Sequence, residues 1–400
     1  MQDIYIGRQP IFNRNLDLFA YELLYRANNV RNAAEVLDHD HATTQVVINA
    51  CLDFGLKQLV GDKKAFIKLP RSFIVGDKPI PFPKDQVILE ILQNVDIDHG
   101  FLDSLRQLRA QGYQIALDDF IYDAKLGPLI TLSKFVKLDF QASSQEQIRK
   151  YVEALKEFQI ELLAEKIETH EEFEFAKELG FQYFQGYFLC RPRIVSGRSL
   201  TSNRIAILRL LSELLDPNKK ITELAELVSQ DVALSFKLLR SLNSPLYALP
   251  KRIDSIHHAI VYLGLQQIKQ WVSLIVLANI ADKPSQLMVV ALTRAKMCEL
   301  IGEAMEVENR ESLFTVGLFS LLDALMDSSL ETVLLELPLA SEVKAALLNR
   351  AGTMGSILRA VLAYEQGEWE AINLPPLDAG KFTGAYMQAI AWTDQVYQHI

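Results

Sequence analysis

Residues 113–119 read YQIALDD, and this stretch decides the fold class. Tyr113, Ile115 and Leu117 alternate with smaller or polar residues, which is the pattern of a half-buried strand, and the run ends in two adjacent carboxylates, Asp118 and Asp119. In a solvated loop two such groups would repel each other only weakly. At the mouth of a parallel barrel they would form a dense negative site that attracts a cation.

Working outward, IYIGRQPIF (4–12) and LFAYELLYR (18–26) read as two strands around the polar turn Asn13–Asp17, a hairpin-like opening. ATTQVVINACLDFGLKQL (42–59) has helical apolar spacing and is stopped by Gly61. Further strand-like runs begin near residues 64, 86, 113, 134, 160 and 181, and HGFLDSLRQLRAQG, SQEQIRKYVEALKEF and HEEFEFAKELG supply helices between them. About eight strands alternating with helices predict a (β/α)8 barrel. Glu22, Glu90, Asp118, Asp139 and Glu165 all fall towards strand ends inside apolar sequence, so a barrel would gather them at its C-terminal mouth.

The totals bound the alternatives. A chain of 400 residues, 50% hydrophobic, can bury more than one core, and a net charge of -9 argues against general affinity for a nucleic-acid backbone. Cys51, Cys190 and Cys298 are too far apart for a CxxC metal site and fit buried thiols in a reducing cytoplasm. The N-terminus lacks the basic and apolar regions of a secretory signal, and WVSLIVLANIA (271–281) is about half the ~20 residues of a membrane span.

RQPIF (8–12), YELLYR (21–26), LEILQ (89–93), ALDDF (116–120), VKLD (136–139), AEKIE (164–168) and FQGYFLCRP (184–192) occur in this order along the acidic barrel. On these motifs the barrel resembles the EAL family of cyclic di-GMP phosphodiesterases, with Leu23 in the alanine position of the EAL signature; beside that family the barrel is shortened and modified. The resemblance implies that Glu22, Glu90 and Asp118 are metal ligands and that Asp119 lies beside a second metal. It implies that Lys137 and Glu165 act on the attacking water, with Glu165 as general base. It further implies that Gln9, Arg26, Glu168 and Gln185 contact the dinucleotide. The implied chemistry is in-line attack by hydroxide held between two divalent ions, Mg2+ or Mn2+, provided that the site survives.

Three departures surround that centre. AFIKLP (65–70) puts Lys68 where the family has an asparagine ligand, and an ammonium has no lone pair for a metal. Among Glu22, Glu90 and Asp118 it would be a built-in counterion, whereas a register shifted by one residue would turn it away. DFIYDAKLG (119–127) replaces a Gly- and Ser-rich loop, and Gln93 replaces the glutamate that steadies it. Lys166 stands in place of a glycine beside the implied base.

Residues 189–204, LCRPRIVSGRSLTSNR, break the βα rhythm, which places a domain boundary there: a degenerate EAL barrel over 1–195, then an all-α domain over 203–400. SQDVALSFKLLRSLNSPLY (229–247), IDSIHHAIVYLG (253–264) and GLFSLLDAL (317–325) resemble the HDOD domain, a regulatory relative of HD phosphohydrolases. Asp231 and Asp254 are expected as helix N-caps and Gly264 as a stop. Ser320 and Leu321 occupy the positions of the HD metal ligands, and adjacent His257 and His258 point about 100 degrees apart on a helix, so a metal-dependent hydrolase in this half is disfavoured.

Together these readings imply a cytoplasmic signalling protein that works through other signalling proteins, cyclic di-GMP enzymes among them. Its EAL barrel is then hydrolytically inactive with cyclic di-GMP as a candidate ligand, no nucleic acid beyond that dinucleotide is expected, and oligomerisation stays open. The alternative is a metal-dependent phosphodiesterase that retains activity.

Overall fold

A computed structural model describes residues 4–27, 55–76, 80–92, 95–191, 202–216, 218–243, 253, 255–278, 280, 283–308, 310–375 and 377–397. They form two compact units, the first comprising 1–188 with 365–369 and the second 189–364 with 370–400.

The first unit is a closed eight-stranded barrel: β1 (Ile4–Asn13), β2 (Leu18–Ala27), β3 (Lys64–Lys68), β4 (Val87–Leu92), β5 (Gln114–Asp118), β6 (Phe135–Asp139), β7 (Glu161–Glu165) and β8 (Tyr183–Gln185). β1 runs antiparallel to both neighbours because the polar turn at Asn13 returns the chain directly into β2. There Asn13 Oδ1 accepts from the N–H groups of Asn15 and Asp17. The remaining neighbours pair in parallel, each reached by a crossover. The β1–β2 ladder runs from Ile4↔Ala27 to Phe12↔Leu18, whereas β2 pairs β3 only over Ala20–Glu22. The far end of the ribbon therefore continues past the rim.

Inside the barrel, Ile11, Ala20, Phe66, Ile88, Ala116, Phe135 and Leu163 form one buried apolar cluster, flanked by Phe19 and Tyr183. Strand side chains repeat every two residues, so the positions two further towards the mouth form the next layer. Those positions are Gln9, Glu22, Lys68, Glu90, Asp118, Lys137, Glu165 and Gln185. The barrel thus changes from wholly apolar to wholly polar within one layer.

The crossover helices follow their local signals. Asp98 caps His99–Ala110, and capping boxes Ser144/Gln147 and Thr169/Glu172 start Gln145–Leu155 and His170–Glu178. Two of the crossover helices are short: the four-residue helix Arg71–Ile74 and the six-residue helix Gly127–Leu132. Of the helix expected over 42–59, residues 42–54 lie outside the described residues; Leu56–Val60 is helical and ends at Gly61.

The second unit is helical, beginning with Ser202–Leu215, Ile221–Gln230, Val232–Leu242, Ile256–Leu263 and Leu265–Ala278. Asp231 caps its helix and Gly264 ends another at φ +87, as expected. Ser255 accepts from the His258 N–H and serves as the cap assigned from sequence to Asp254, which lies outside the described residues. Trp271 is buried. No helix among the described residues is long and apolar enough to cross a membrane.

Phe66 is fully buried and meets Phe19 and Phe135 edge-on or nearly so, beneath the polar layer. Phe66→Ala should destabilise the barrel by about 3–5 kcal/mol. Hydrogen exchange of the β3 and β4 amides reads this separately from the helical unit.

Candidate functional site: a lysine among four carboxylates

Lys137 stands at the centre of the polar layer. Its Nζ lies 2.5 Å from Glu90 Oε1, 2.6 Å from Glu165 Oε1 and 3.1 Å from both Glu22 Oε2 and Asp118 Oδ1. Strands β2, β4, β5 and β7 each contribute one of these carboxylates, and β6 contributes the lysine. The Lys137 side chain is fully buried, so these interactions act with little solvent screening. Lys68 adds a second ammonium, 2.6 Å from Asp118 Oδ2 at the more exposed edge. The register therefore turns Lys68 inward, not away.

Four carboxylates and two ammonium groups leave an excess of negative charge, and the carboxyls respond unequally. Burial, opposed by Lys137 and reinforced by Asp118 and Glu22, pushes Glu165 up to about 8. Burial and then Glu22 raise Glu90 well above its usual range. Burial would raise Asp118 too, but Lys137 and Lys68 outweigh it and hold this group well below the carboxylate range. Both lysines are held charged: burial opposes the charge on each, and the surrounding carboxylates overcome it.

A hydrogen-bonded arm extends the cluster. Gln185 Nε2 donates to Glu22 Oε2 at 2.6 Å and to Gln9 Oε1 at 2.9 Å, and Gln9 Nε2 donates to Tyr187 Oη at 3.1 Å. Gly186 lets β8 turn here: a Cβ on it would lie 2.0 Å from the Ile167 carbonyl oxygen. Tyr187 has no assigned role in the sequence reading, although the QGY segment contains it.

Two strands end alike. Asp118 is followed by Asp119 at φ +49 and Glu165 by Lys166 at φ +55, left-handed conformations that disfavour side chains. Lys166 thus occupies a backbone position that suits glycine, and its Nζ reaches Asp139 Oδ2 at 2.5 Å. Asp139 departs from expectation. It lies one layer above Lys137, where its carboxylate accepts from the Gln141 and Ala142 N–H groups and from Lys166, so it braces a loop instead of joining the shared cluster.

A cavity of about 450 Å³ opens above the cluster, a size suited to a small-molecule ligand. Gln9, Glu22, Lys68, Asp118, Asp119, Glu165, Glu168 and Gln185 line it, while Glu90 and Lys137 lie beneath. The Arg26 side chain and Gln93 lie outside the described residues. Residues 366–369 also line the cavity, which no motif in the sequence signalled.

The oxygen donors suit a divalent cation. Glu22, Glu90 and Asp118 form one group with ligand atoms within 4.8 Å of one another, and Asp118, Asp119 and Glu165 form a second. Glu90 Oε2 is buried and finds no hydrogen-bond partner among the described residues, so lone pairs remain for a cation. Lys68 stands against the first group, bound to Asp118 Oδ2.

In the helical unit, Ser320 Oγ accepts from Arg294 Nη1 at 2.8 Å and donates to the Gly317 carbonyl at 2.7 Å, and Leu321 is buried in the core. Among its described residues no cluster of three His, Cys, Asp or Glu forms.

The EAL domain model matches residues 78–192 and the HDOD domain model residues 201–337. Cyclic di-GMP phosphodiesterase CdgJ of Vibrio cholerae is 32% identical over 384 residues, covering 95% of this chain and 89% of its own length. The chain belongs to the EAL–HDOD family. The uncharacterized protein YuxH of Bacillus subtilis is also 32% identical, covering 97% of this chain and 98% of its own. Among solved structures, a standalone EAL protein from Vibrio cholerae O395 in a cyclic di-GMP-bound form matches at 25% identity and a TM-score of 0.37, covering 46% of this chain and 90% of its own. The EAL enzyme Bd1971, with cAMP and cyclic di-GMP bound, matches at 20% identity and a TM-score of 0.38; the match covers 46% of this chain and 61% of that one.

Removing the central ammonium would leave four carboxylates facing one another. Lys137→Met should therefore destabilise the barrel by about 3–5 kcal/mol in denaturant unfolding. Lys68→Met should be markedly milder, because its side chain is 38% exposed and water screens its ion pair with Asp118.

Proposed function

We propose that this EAL–HDOD protein is a cytoplasmic signalling component. On this reading the barrel domain, residues 1–195, binds cyclic di-GMP but hydrolyses it poorly. The helical domain, residues 203–400, acts through protein partners, cyclic di-GMP enzymes among them. The observation that carries the reading is the Lys68 ammonium 2.6 Å from Asp118. Two unlike tenants then compete for one group of oxygens. A divalent ion 4 Å from an ammonium is repelled by roughly 8 kcal/mol at an effective dielectric of about 20. Metal would enter the Glu22–Glu90–Asp118 group only after Lys68 swings towards solvent. Binding does not require that step: Gln9, Gln185 and Glu168 line the cavity, and lysines at its edge offer charge to phosphate.

The second reading is retained hydrolysis. It is favoured by the two carboxylate groups that persist and by kinship with a protein named as a cyclic di-GMP phosphodiesterase. In that case Glu22, Glu90, Asp118 and Asp119 would hold Mg2+ or Mn2+, which would polarise the phosphodiester and acidify a bound water. Lys137 and Glu165 would handle the water's proton.

A chromatographic time course with cyclic di-GMP and excess Mn2+ separates the readings. The expected result is binding by calorimetry in EDTA with little linear product, and at least tenfold faster turnover together with tighter Mn2+ binding in Lys68→Asn. Brisk turnover by the wild type that Glu22→Ala abolishes would instead establish the phosphodiesterase.

A further inference from the structure

The polar arm of the site does not end within the barrel strands. Tyr187 Oη, which accepts from Gln9, donates in turn to the backbone carbonyl of Glu365 at 2.6 Å. One continuous chain of hydrogen bonds therefore links Glu22, Gln185, Gln9, Tyr187 and Glu365. Gln185 Nε2 donates to both Glu22 and Gln9, so the chain runs outward from Gln185, and Gln9 and Tyr187 each accept once and donate once.

Glu365 opens the five-residue segment that belongs to the barrel unit although Tyr364 before it and Glu370 after it belong to the helical unit. The far end of the segment is fixed as well. The Trp369 indole stacks on Tyr5 with centroids 5.1 Å apart and planes 9° from parallel. Tyr5 and Gly7 share a face of β1 with Gln9, on the part of the ribbon that continues past the rim. Gly7 leaves room for the ring: a Cβ there would lie 3.0 Å from Trp369 Cη2. Held at both ends, the segment places Gln366, Gly367 and Glu368 against the cavity, with the Gln366 and Glu368 side chains exposed. With the segment in place the cavity still measures about 450 Å³, so the segment walls the site and leaves it open to a ligand.

We infer that residues 365–369 form one wall of the dinucleotide site, with Gln366 and Glu368 contacting the bound ligand. A carboxamide and a carboxylate at this rim can donate to and accept from the polar edge of a purine. The inference rests on the cyclic di-GMP reading, and its test keeps the two apart.

Calorimetric titration of the full chain with cyclic di-GMP compares wild type with the double variant Gln366→Ala/Glu368→Ala. Both changes are at exposed positions, and thermal melting checks that the fold is intact. The expected result is at least tenfold weaker binding by the variant, with slower hydrogen exchange at 365–369 when the wild type is saturated. Trp369→Ala, which unfastens the segment, should weaken binding similarly. Wild-type binding with unchanged affinity in both variants and unchanged exchange at 365–369 would overturn the wall while sparing the cyclic di-GMP reading. Absence of wild-type binding would overturn both.

Discussion

The barrel depends on how one buried ammonium is shared. Lys137 meets Glu22, Glu90, Asp118 and Glu165 within 3.1 Å, and no water-exposed path screens these contacts at the lysine itself. An isolated charge in that position would be strongly unfavourable, and four clustered carboxylates would repel one another. Placing the lysine among them resolves both problems at once. The remaining imbalance is divided: Asp118, bonded to two ammonium groups, stays ionised, whereas Glu90 and Glu165 hold their protons more tightly.

This arrangement sits directly on an apolar layer. Phe66, Ile88, Ala116, Phe135 and Leu163 are each followed two residues later by Lys68, Glu90, Asp118, Lys137 and Glu165. The aromatic floor excludes water from below and fixes the strands, so the charged layer inherits its precision from packing. The rim is less regular. Asp119 and Lys166 adopt left-handed backbone conformations, and Lys166 is tied down through Asp139. A strained lysine in a position that suits glycine is held by an ion pair that glycine could not make.

Lys68 gives the site its individual character. It shares the layer of the carboxylates, but its side chain reaches the cavity and is partly exposed, so it can move where Lys137 cannot. The oxygen donors of a metal centre and an ammonium that competes for them are therefore present together. The same mouth is bordered by residues 366–369, about 180 residues beyond β8 in the chain.

Much of this was legible in the chain. The eight strands, the polar turn at Asn13–Asp17 and the placement of Glu22, Glu90, Asp118 and Glu165 at strand ends follow from alternation and turn chemistry, which are local. So do the caps and stops of the helices. Other features were settled only by the closed barrel. Alternation alone could not say whether Lys68 faced inward, because a one-residue shift in register reverses a strand's faces. Asp139 carries the same local signal as Asp118 but lies one layer higher and braces a loop. The approach of Trp369 to Tyr5 leaves no sequence trace at all, since it joins distant segments through shape and stacking. Sequence determined which residues could meet at the mouth, because side-chain period is a local property; tertiary structure decided which do, because register, layer height and long-range packing are properties of the closed barrel.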